Sequence, residues 1–328
     1  MKSWILVITL ILPLFCAAQN RGNIWCFGDS AGIDFSSGVA LPIVSAMDGR
    51  GSCASISDTN GELLFYTATM PEYFGPAGVE TFVFDQNHNV MQNGDSIVGR
   101  GWYQELVIIP NPANDSTYYL FSISVTENYG LVYSIIDMRL NGGLGAVTQK
   151  NIQLQNFKLV DCINAVKHGN GRDWWVFFRR FESVSNPNNE FYSVLVSPSG
   201  VSAVSMQNIG MMNSTNAGRI TFNVDGTKML FVNAYELIEI YDFDRCTGFL
   251  SNPLTISQES ITSQSSSYWS GEFSPSGNLF YVTKLPYLSS DSSKLFQYDL
   301  TSPNIAASKQ TLWATPFMIT MGQLKRAP

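Results

Sequence analysis

Few side chains of this 328-residue chain are suited to catalysis or to holding a metal. It has two histidines and no Cys-x-x-Cys pair, so a zinc site of the usual kind lacks ligands. Gly28-Asp-Ser-Ala-Gly32 fits the G-x-S-x-G pattern of serine hydrolases. That motif requires a strand-to-helix turn, and the residues that follow Ser30, as far as Pro42, do not predict a helix. We therefore predict no catalytic residue, no cofactor and no metal.

The two histidines and one acidic loop lie among turn-forming residues. His88 is flanked by Gln, Asn and Asp, and His168 comes directly before a Gly-Asn-Gly stretch. A general base also needs a partner that orients it, which a single sequence does not reveal. Asp58-Thr-Asn-Gly-Glu62 resembles the start of a calcium loop but lacks the later bidentate Glu. These segments are predicted to be hairpin turns.

Aromatic residues make up 13% of the chain and could serve packing or recognition of a carbohydrate or peptide. Two aromatic pairs directly precede apolar runs, where loops are expected to form an exposed rim. Glu105, His168 and Glu272 are the polar residues that stand out beside such runs. The predicted binding residues are therefore Trp102, Tyr103, Glu105, His168, Tyr268, Trp269 and Glu272.

A repeating pattern would position these residues. Five times a polar turn dipeptide, usually ending in Gly, is followed by a dense apolar and aromatic run, and the runs begin at Gly61, Asp115, Gly171, Gly226 and Gly277. The intervals are 110 residues from Gly61 to Gly171 (171 − 61), 55 to Gly226 (226 − 171) and 51 to Gly277 (277 − 226). A fixed period near fifty residues is typical of an array of small sheets.

Each unit divides into four short β segments separated by Gly, Asn, Asp, Pro and Ser. In the last complete unit these segments are 271–275, 278–283, 295–299 and 308–313. No long helix is indicated, so the fold is predicted to be an all-β propeller of four-stranded antiparallel blades. A row of β-sandwich domains, the alternative, would repeat about every hundred residues. Three predicted third strands end on an Asp that can bond to the next turn: Asp85, Asp137 and Asp242.

The pattern gives five blades, and the last residues resemble the first strand of a sixth, with Pro328 in the place of Pro275. The next turn glycine would fall just beyond Pro328. We therefore expect five blades plus the first strand of a sixth, in a C-terminally truncated and incomplete ring. Segment 23–27 is expected to be an N-terminal closing strand without partners. A nonfunctional fragment of a longer gene is an alternative.

The first eighteen residues have the layout of a cleavable secretory signal, with Lys2, an apolar stretch over 4–15 and small residues at 17 and 18. Segment 19–328 is then the propeller domain. A lipid anchor on Cys16 is an alternative that Phe15 fits poorly, and no stretch predicts a stable membrane span. The chain has 19 basic and 26 acidic side chains, which disfavours nucleic acid as a partner.

Four cysteines lie beyond the predicted leader: Cys26, Cys53, Cys162 and Cys246. In an oxidising compartment they could form two disulfides, and their spacing selects none of the three possible pairings. The alternative is that most of them are buried free thiols.

Several phrases spread over the chain carry a family resemblance. They are 23–28, 32–35, 53–58, 61–66, 137–145, 165–168 with 174–175, and 321–324. Together they resemble the N-terminal propeller, WD-like or YVTN-like, of large exported Bacteroidetes proteins that carry PKD or gliding-motility-associated domains. The resemblance implies a secreted or cell-surface location and no established catalytic residues.

The expected function is that of a non-catalytic recognition module whose rim loops bind a glycan or protein at the bacterial surface. The alternative is a lactonase-like hydrolase or a lyase with its site in the central channel. Such an enzyme should bring several ionisable groups with perturbed pKa values together. The predicted inner strands offer few acids, which favours the recognition module and leaves the ligand open.

Overall fold

The computed structural model describes residues 20–49, 52–70, 78–100, 103–124, 129–235, 237–258, 266–286, 292–316 and 322–328. Over these ranges, 23 strands form six sheets that follow one another along the chain. Within the same ranges, the helical structure is limited to single 3-10 turns at Asn141–Gly143 and Ala306–Ser308. No helix of the described residues is long and apolar enough to cross a membrane. The prediction of an all-β fold is confirmed.

Within each sheet, consecutive strands pair in antiparallel fashion, except that the fifth strand of the fourth sheet pairs with the third strand of that sheet. Sheet 1 contains β1 (Ile24–Phe27), β2 (Asp29–Asp34) and β3 (Leu41–Asp48), and sheet 2 contains β4 (Cys53–Ser57), β5 (Leu63–Thr69) and β6 (Thr81–Asp85). Sheet 3 contains β7 (Leu106–Pro110), β8 (Thr117–Ser124), β9 (Gly130–Asp137) and β10 (Ala146–Gln155).

The remaining three sheets contain four or five strands each. Sheet 4 contains β11 (Leu159–Lys167), β12 (Trp174–Arg180), β13 (Asn188–Ser197), β14 (Gly200–Val201) and β15 (Ser205–Asn213). Sheet 5 contains β16 (Gly218–Phe222), β17 (Lys228–Asn233), β18 (Ile238–Asp244) and β19 (Phe249–Ser257). Sheet 6 contains β20 (Ser266–Phe273), β21 (Leu279–Pro286), β22 (Lys294–Asp299) and β23 (Gln310–Ala314). The four segments predicted for the last unit match these last four strands.

The sheets stand side by side around a channel. Their first strands, which we call the inner strands, contact one another in the order β4, β7, β11, β16 and β20, and β1 contacts β4. Apolar and aromatic residues fill the space between neighbouring sheets. Phe231 of sheet 5 is fully buried and lies edge-on to Phe191 of sheet 4, with ring centroids 5.8 Å apart. Burying such a side chain stabilises the fold by about 1.5–3 kcal/mol, so inter-sheet packing holds the ring together.

Segment 322–328 closes this ring between sheet 6 and sheet 1. The Leu324 amide donates to Ser270 Oγ of β20 over 3.0 Å. On its other side, Lys325 Nζ lies 4.7 Å from the centroid of the Trp25 ring of β1. Pro328 packs beside Gly22, just before β1. Residues from the two ends of the sequence therefore meet in one part of the ring.

The expectation of five blades and an incomplete ring is wrong, because β1–β3 form a sixth sheet. Gly22 followed by Asn-Ile-Trp-Cys-Phe27 has the same turn-then-aromatic form as the five counted runs. It was missed because it precedes Gly61 by only 39 residues (61 − 22), well short of the usual period. The predicted closing strand 23–27 does have partners: it pairs with β2, and segment 322–328 lies beside it.

The predicted turn chemistry is largely confirmed. Gly226 and Gly277 adopt φ of 69° and 72°, a region that L side chains rarely occupy. Asp85 Oδ1 accepts the amides of the turn that follows it, at 2.8 and 3.0 Å. The same prediction is wrong for Asp242, which pairs with Lys228 Nζ at 2.7 Å, because Asp244 caps that turn instead.

All four cysteines predicted to follow the leader are free thiols. Cys26 and Cys162 are buried, whereas Cys246 is exposed. Burial raises the pKa of Cys26 to about 12 and also raises the pKa of Cys162, so both thiols are unreactive in the folded protein. Of the two alternatives left open by the sequence, free thiols are confirmed over disulfides, but only Cys26 and Cys162 are buried, so the expectation that most of the four are buried is not met.

Candidate functional site

The principal candidate site is a cavity of about 470 Å³ at the end of the channel where β11 and β16 end. Its volume lies in the range of small-ligand sites. Three inner strands, the turns that follow two of them, and segment 322–328 form its walls. We call it the axial pocket; it is lined by residues 164–167, Trp174, 221–226, Arg245, Glu272, Lys325 and Arg326.

Basic side chains dominate the ionisable groups of the axial pocket. Lys167, Arg245, Lys325 and Arg326 face two acids, Asp225 and Glu272. The whole chain carries a formal net charge of −7, so the pocket is opposite in sign to the protein around it. Low-dielectric walls around like charges focus the local field, which favours anions in the pocket.

Segment 322–328 supplies two of these cations, Lys325 and Arg326. Arg326 Nη1 lies 3.6 Å from Glu272 Oε1, and the Arg326 amide donates to Glu272 Oε2 over 3.3 Å. Lys325 is solvent-accessible although the inner strands surround it, as expected for a group in the channel. Desolvation lowers its pKa, and the nearby Cys53 and Glu272 partly oppose that shift. Burial raises the pKa of Glu272, while Arg326 opposes the shift.

Arg245 and Lys167 form the rim on the side of sheets 4 and 5. The Arg245 guanidinium donates to the carbonyl oxygens of Lys167 (2.9 Å), Asp225 (2.8 Å) and His168 (3.3 Å) and so ties two turns together. Lys167 Nζ lies 4.3 Å from the centroid of the Trp174 ring. Since carbonyl groups carry no net charge, these hydrogen bonds do not neutralise Arg245, although its charge helps to lower the pKa of Asp225 on the neighbouring turn.

The neutral polar groups of the axial pocket are already used within the protein. Asn164 Nδ2 donates to the Ile220 carbonyl over 2.8 Å, and its Oδ1 accepts the Ala165 amide over 2.8 Å. Thr221 Oγ1 donates to the Gly271 carbonyl over 2.9 Å. Asn223 Oδ1 accepts the Lys228 amide over 2.9 Å. These side chains fix the walls rather than offer hydrogen bonds to a ligand.

The opposite end of the channel, where the inner strands begin, holds buried charges. Glu105 is fully buried; its Oε2 accepts Thr69 Oγ1–H over 2.7 Å and its Oε1 accepts the Arg100 amide over 2.7 Å. Asp161, also buried, accepts the backbone amides of Tyr103 (2.6 Å) and Gln104 (2.8 Å). Burial first, and Asp161 second, raise the pKa of Glu105 well above its ordinary value.

Arg219 lies among these groups and crosses the channel. Its Nη2 donates to the Tyr103 carbonyl, which belongs to the start of sheet 3, whereas Arg219 itself is in sheet 5. Burial lowers its pKa to about 10, an effect that Asp161 opposes. Arg219 is only 2% exposed, and Glu105 and Asp161 are buried beside it, so we call this the closed end of the channel.

The predicted aromatic residues do not form an exposed rim. Tyr268 is fully buried between sheets and Tyr103 is 8% exposed, so the expectation of exposure is wrong for both. Trp269 is half-buried and its ring centroid lies 4.2 Å from that of Tyr103, at the closed end of the channel. Trp102 lies outside the described residues. Large flat side chains are used both for packing between sheets and for binding ligands. The presence of an aromatic pair in the sequence therefore did not distinguish a buried position from an exposed one.

The three predicted polar residues are spread over the channel. Glu272 lines the axial pocket, whereas Glu105 is locked at the closed end. His168 sits in the turn after β11, where Nδ1 accepts the Asn170 amide over 3.0 Å and Nε2 lies 3.1 Å from the Cys246 carbonyl. A binding role for any of them stays a prediction.

The segments that we interpreted as turns are turns. His88 follows β6 with a φ of 65°, and its Nδ1 lies 3.0 Å from the Tyr66 hydroxyl. Asp58 Oδ1 accepts the amides of Asn60 (2.8 Å) and Glu62 (3.0 Å) within the β4–β5 hairpin. Ser30 lies in β2 after a strand-to-strand turn, so the geometry of a nucleophile elbow is not formed. Among the described residues, no cluster of His, Cys, Asp or Glu could hold a metal ion.

Sequence reasoning missed Lys167, Arg219, Lys325 and Arg326. The signal that could have found the last two was present, because the phrase around Gly322 was interpreted as the first strand of a blade. An inner strand lines the channel, so charged residues within such a strand are candidates for the site. We expected an incomplete ring, in which the segment around Gly322 has no neighbouring sheet. For that reason Lys325 and Arg326 were not considered as residues that line the channel.

No protein-family model and no curated protein matches the chain. Among solved structures, a candidate 6-phosphogluconolactonase from Bacteroides uniformis ATCC 8492 is 14% identical with a TM-score of 0.50, covering 87% of this chain and 78% of its own. The Cps50 (Swd1) propeller domain from Myceliophteria thermophila is 10% identical with a TM-score of 0.48, covering 92% and 85%. At such identities the likeness concerns the fold alone. The chain is a six-bladed β-propeller, and its fold is similar to that of the Bacteroides uniformis propeller.

Proposed function

We propose that this protein is a non-catalytic, exported recognition module that binds the end of a glycan or protein ligand in the axial pocket. The observation that carries the proposal is an open cavity of about 470 Å³ with a basic lining. Its neutral polar side chains are committed to the fold, so it offers fixed walls with few mobile parts. A rigid, concave and charged site suits selective binding.

The proposal moves the ligand from the rim aromatics to the channel. Tyr103 and Tyr268 are buried and offer no surface to a ligand. The axial pocket, in contrast, is reached through two turns, one of which carries the exposed Val224. A ligand would enter between these turns and meet Lys325 and Arg326.

A blocked pocket tests the proposal. Val224→Trp places a large side chain at the mouth, on a turn that tolerates it because Val224 is 57% exposed. Val184→Trp is the matched control, since Val184 is 62% exposed and follows β12 at the other end of sheet 4. Wild-type protein and both variants are screened on glycan and peptide arrays. Binding by the wild type and Val184→Trp but not by Val224→Trp supports the pocket, whereas equal binding by all three refutes it.

Export is a separate part of the proposal, supported by Lys2, the apolar stretch over 4–15 and the small residues at 17 and 18. Expression of the full sequence in a bacterial host tests it. The expected result is a processed protein outside the cytoplasm whose N-terminus, by Edman sequencing, is Gln19. Retention of an unprocessed chain in the cytoplasm contradicts it.

One observation favours the alternative of a hydrolase. Glu272 lines the axial pocket and burial raises its pKa, which suits a carboxyl group that donates a proton. If Glu272 were a general acid, a panel of sugar lactones and glycosides would be hydrolysed by the wild type. Glu272→Gln would then reduce the rate by about 10²-fold or more. Equal background rates for the two proteins leave the recognition module as the function.

A further inference from the structure

We infer that the axial pocket is specific for an anionic group, the carboxylate or phosphate of a small ligand, held by Lys325 and Arg326. The inference rests on the proposed function, in that the axial pocket is taken to be the binding site, and it adds the ligand's chemical class. It is carried by the hydrogen-bonding groups that the folded chain leaves unused in this cavity.

Arg326 is the first of these groups. Its Nη1 is buried and has no hydrogen-bond acceptor among the described residues. The Glu272 carboxylate is 3.6 Å away, outside hydrogen-bond range, and also accepts the amides of Phe273 (3.0 Å) and Arg326 (3.3 Å). The Arg326 side chain lines the cavity and is 33% exposed, so its guanidinium can meet an oxyanion there. An acceptor for Nη1 would also relieve the cost of a buried donor without a partner. Hydrogen bonds between ionised partners are about twice as strong as neutral ones.

Lys325 is the second. Its ammonium group contacts the face of Trp25 at 4.7 Å and, among the described residues, makes no ion pair and no hydrogen bond. Water reaches the side chain even though it lies inside the ring of sheets. An ammonium group that is solvent-accessible and forms no ion pair among the described residues is suited to attract an anion.

The acids of the axial pocket do not cancel this preference. Asp225 Oδ1 is occupied by the Thr227 amide (3.0 Å) and hydroxyl (2.6 Å) and lies on the exposed turn. Glu272 faces Arg326 directly. The lining therefore carries four cations against two acids that already have partners, and a neutral sugar ring cannot neutralise this excess of donors on cations. An anion with several acceptor oxygens can use all of them.

Isothermal titration calorimetry of the soluble propeller with glucuronate, inorganic phosphate and glucose tests the inference. We expect glucuronate or phosphate to bind at least about tenfold more tightly than glucose, because hydrogen bonds to charged groups are the stronger ones. Lys325→Gln and Arg326→Gln should each weaken anion binding about tenfold or more, because each removes the positive charge and leaves a shorter, neutral polar side chain. The control is Lys158→Ala, which removes the same charge from an exposed site before β11, at the far end of sheet 4.

The outcomes separate the inference from the proposed function. Preference for glucuronate over phosphate identifies a carboxylate as the source of the charge, and the reverse identifies a phosphate. If glucose binds as tightly as both anions, or if the two Gln variants bind anions like Lys158→Ala, the inference is wrong. Array binding that Val224→Trp abolishes would still stand in that case. Thermal unfolding of each Gln variant shows whether the protein is still folded. If a variant is unfolded, anion affinity of the wild type is measured at increasing NaCl concentrations instead. An affinity that does not change with NaCl concentration overturns the inference.

Discussion

Replacement of Glu105 distinguishes a structural carboxyl group from a binding one. Glu105 is fully buried at the closed end of the channel, accepting Thr69 Oγ1–H and the Arg100 amide, each over 2.7 Å. Asp161 and Glu80 add negative potential around it, and its pKa is raised mainly by burial. We therefore expect Glu105 to keep its proton to a higher pH in the folded protein than in the unfolded chain and to hold sheets 2 and 3 together through its hydrogen bonds.

The size of the effect follows from these contacts. Glu105→Gln retains an acceptor for the Arg100 amide and a group that can bond to Thr69, so we expect a change in the free energy of unfolding within about 1 kcal/mol. Glu105→Ala leaves both partners unsatisfied at about 1–3 kcal/mol each and creates a cavity, so a loss of about 3–5 kcal/mol is expected.

The stability of the wild type should depend on pH through Glu105. The pKa of Glu105 is higher in the folded than in the unfolded protein. Its contribution to the free energy of unfolding is therefore fully present below the unfolded pKa and is lost as pH rises through the folded pKa. The loss is about 1.4 kcal/mol for each pH unit between the two pKa values. Relative to Glu105→Gln, the wild type should therefore lose stability as pH rises from 4 to 9.

Urea unfolding of the wild type and both variants across this pH range is the assay. If Glu105→Gln costs more than about 3 kcal/mol, or if the wild type gains stability over it with rising pH, Glu105 is ionised in the fold and the reasoning fails. Anion titration of Glu105→Gln is the functional control, and unchanged affinity is expected because Glu105 does not line the axial pocket.

Three further outcomes are expected. Deleting residues 322–328 should lower the melting temperature and expose Cys26 to a maleimide, because this segment closes the ring beside β1; an unchanged melting curve contradicts the closure. In the intact protein, mass spectrometry should show rapid labelling of Cys246 and protection of the buried Cys26 and Cys162, whereas equal labelling of all three argues against their burial. Anion affinity should fall as pH rises towards the lowered pKa of Lys325, at a lower pH than for an ordinary lysine. Lys325→Gln should lose this pH dependence. An affinity of the wild type that does not change with pH contradicts a role of Lys325 in anion binding.

The blade pattern could be predicted because its signals are local. Gly226 and Gly277 mark turns through their own backbone preference, and the apolar runs after them form strands whatever lies elsewhere in the chain. Asp85 caps its turn for the same reason. Where the local signal was weaker the prediction failed: the short interval after Gly22 concealed a whole sheet, and the blade count was one too low.

The axial pocket could not be predicted in this way, because its residues meet only when the ring closes. Lys167 and Lys325 lie far apart in the sequence, and nothing local to either indicates that they share a cavity. The exposure of the aromatic pairs could not be predicted either. The residues next to Tyr268 in the sequence do not show whether it packs between sheets, as it does in the structure, or faces solvent.

The sequence by itself determined the strands, the turns and the repeated sheet, because hydrophobic periodicity and backbone conformation act over a few residues. Only the tertiary structure decided that segment 322–328 lies between β20 and β1, that Arg219 is buried at one end of the channel, and that basic side chains converge at the other. The physical reason is that burial, desolvation and the field of neighbouring charges depend on distances between residues that are remote along the chain.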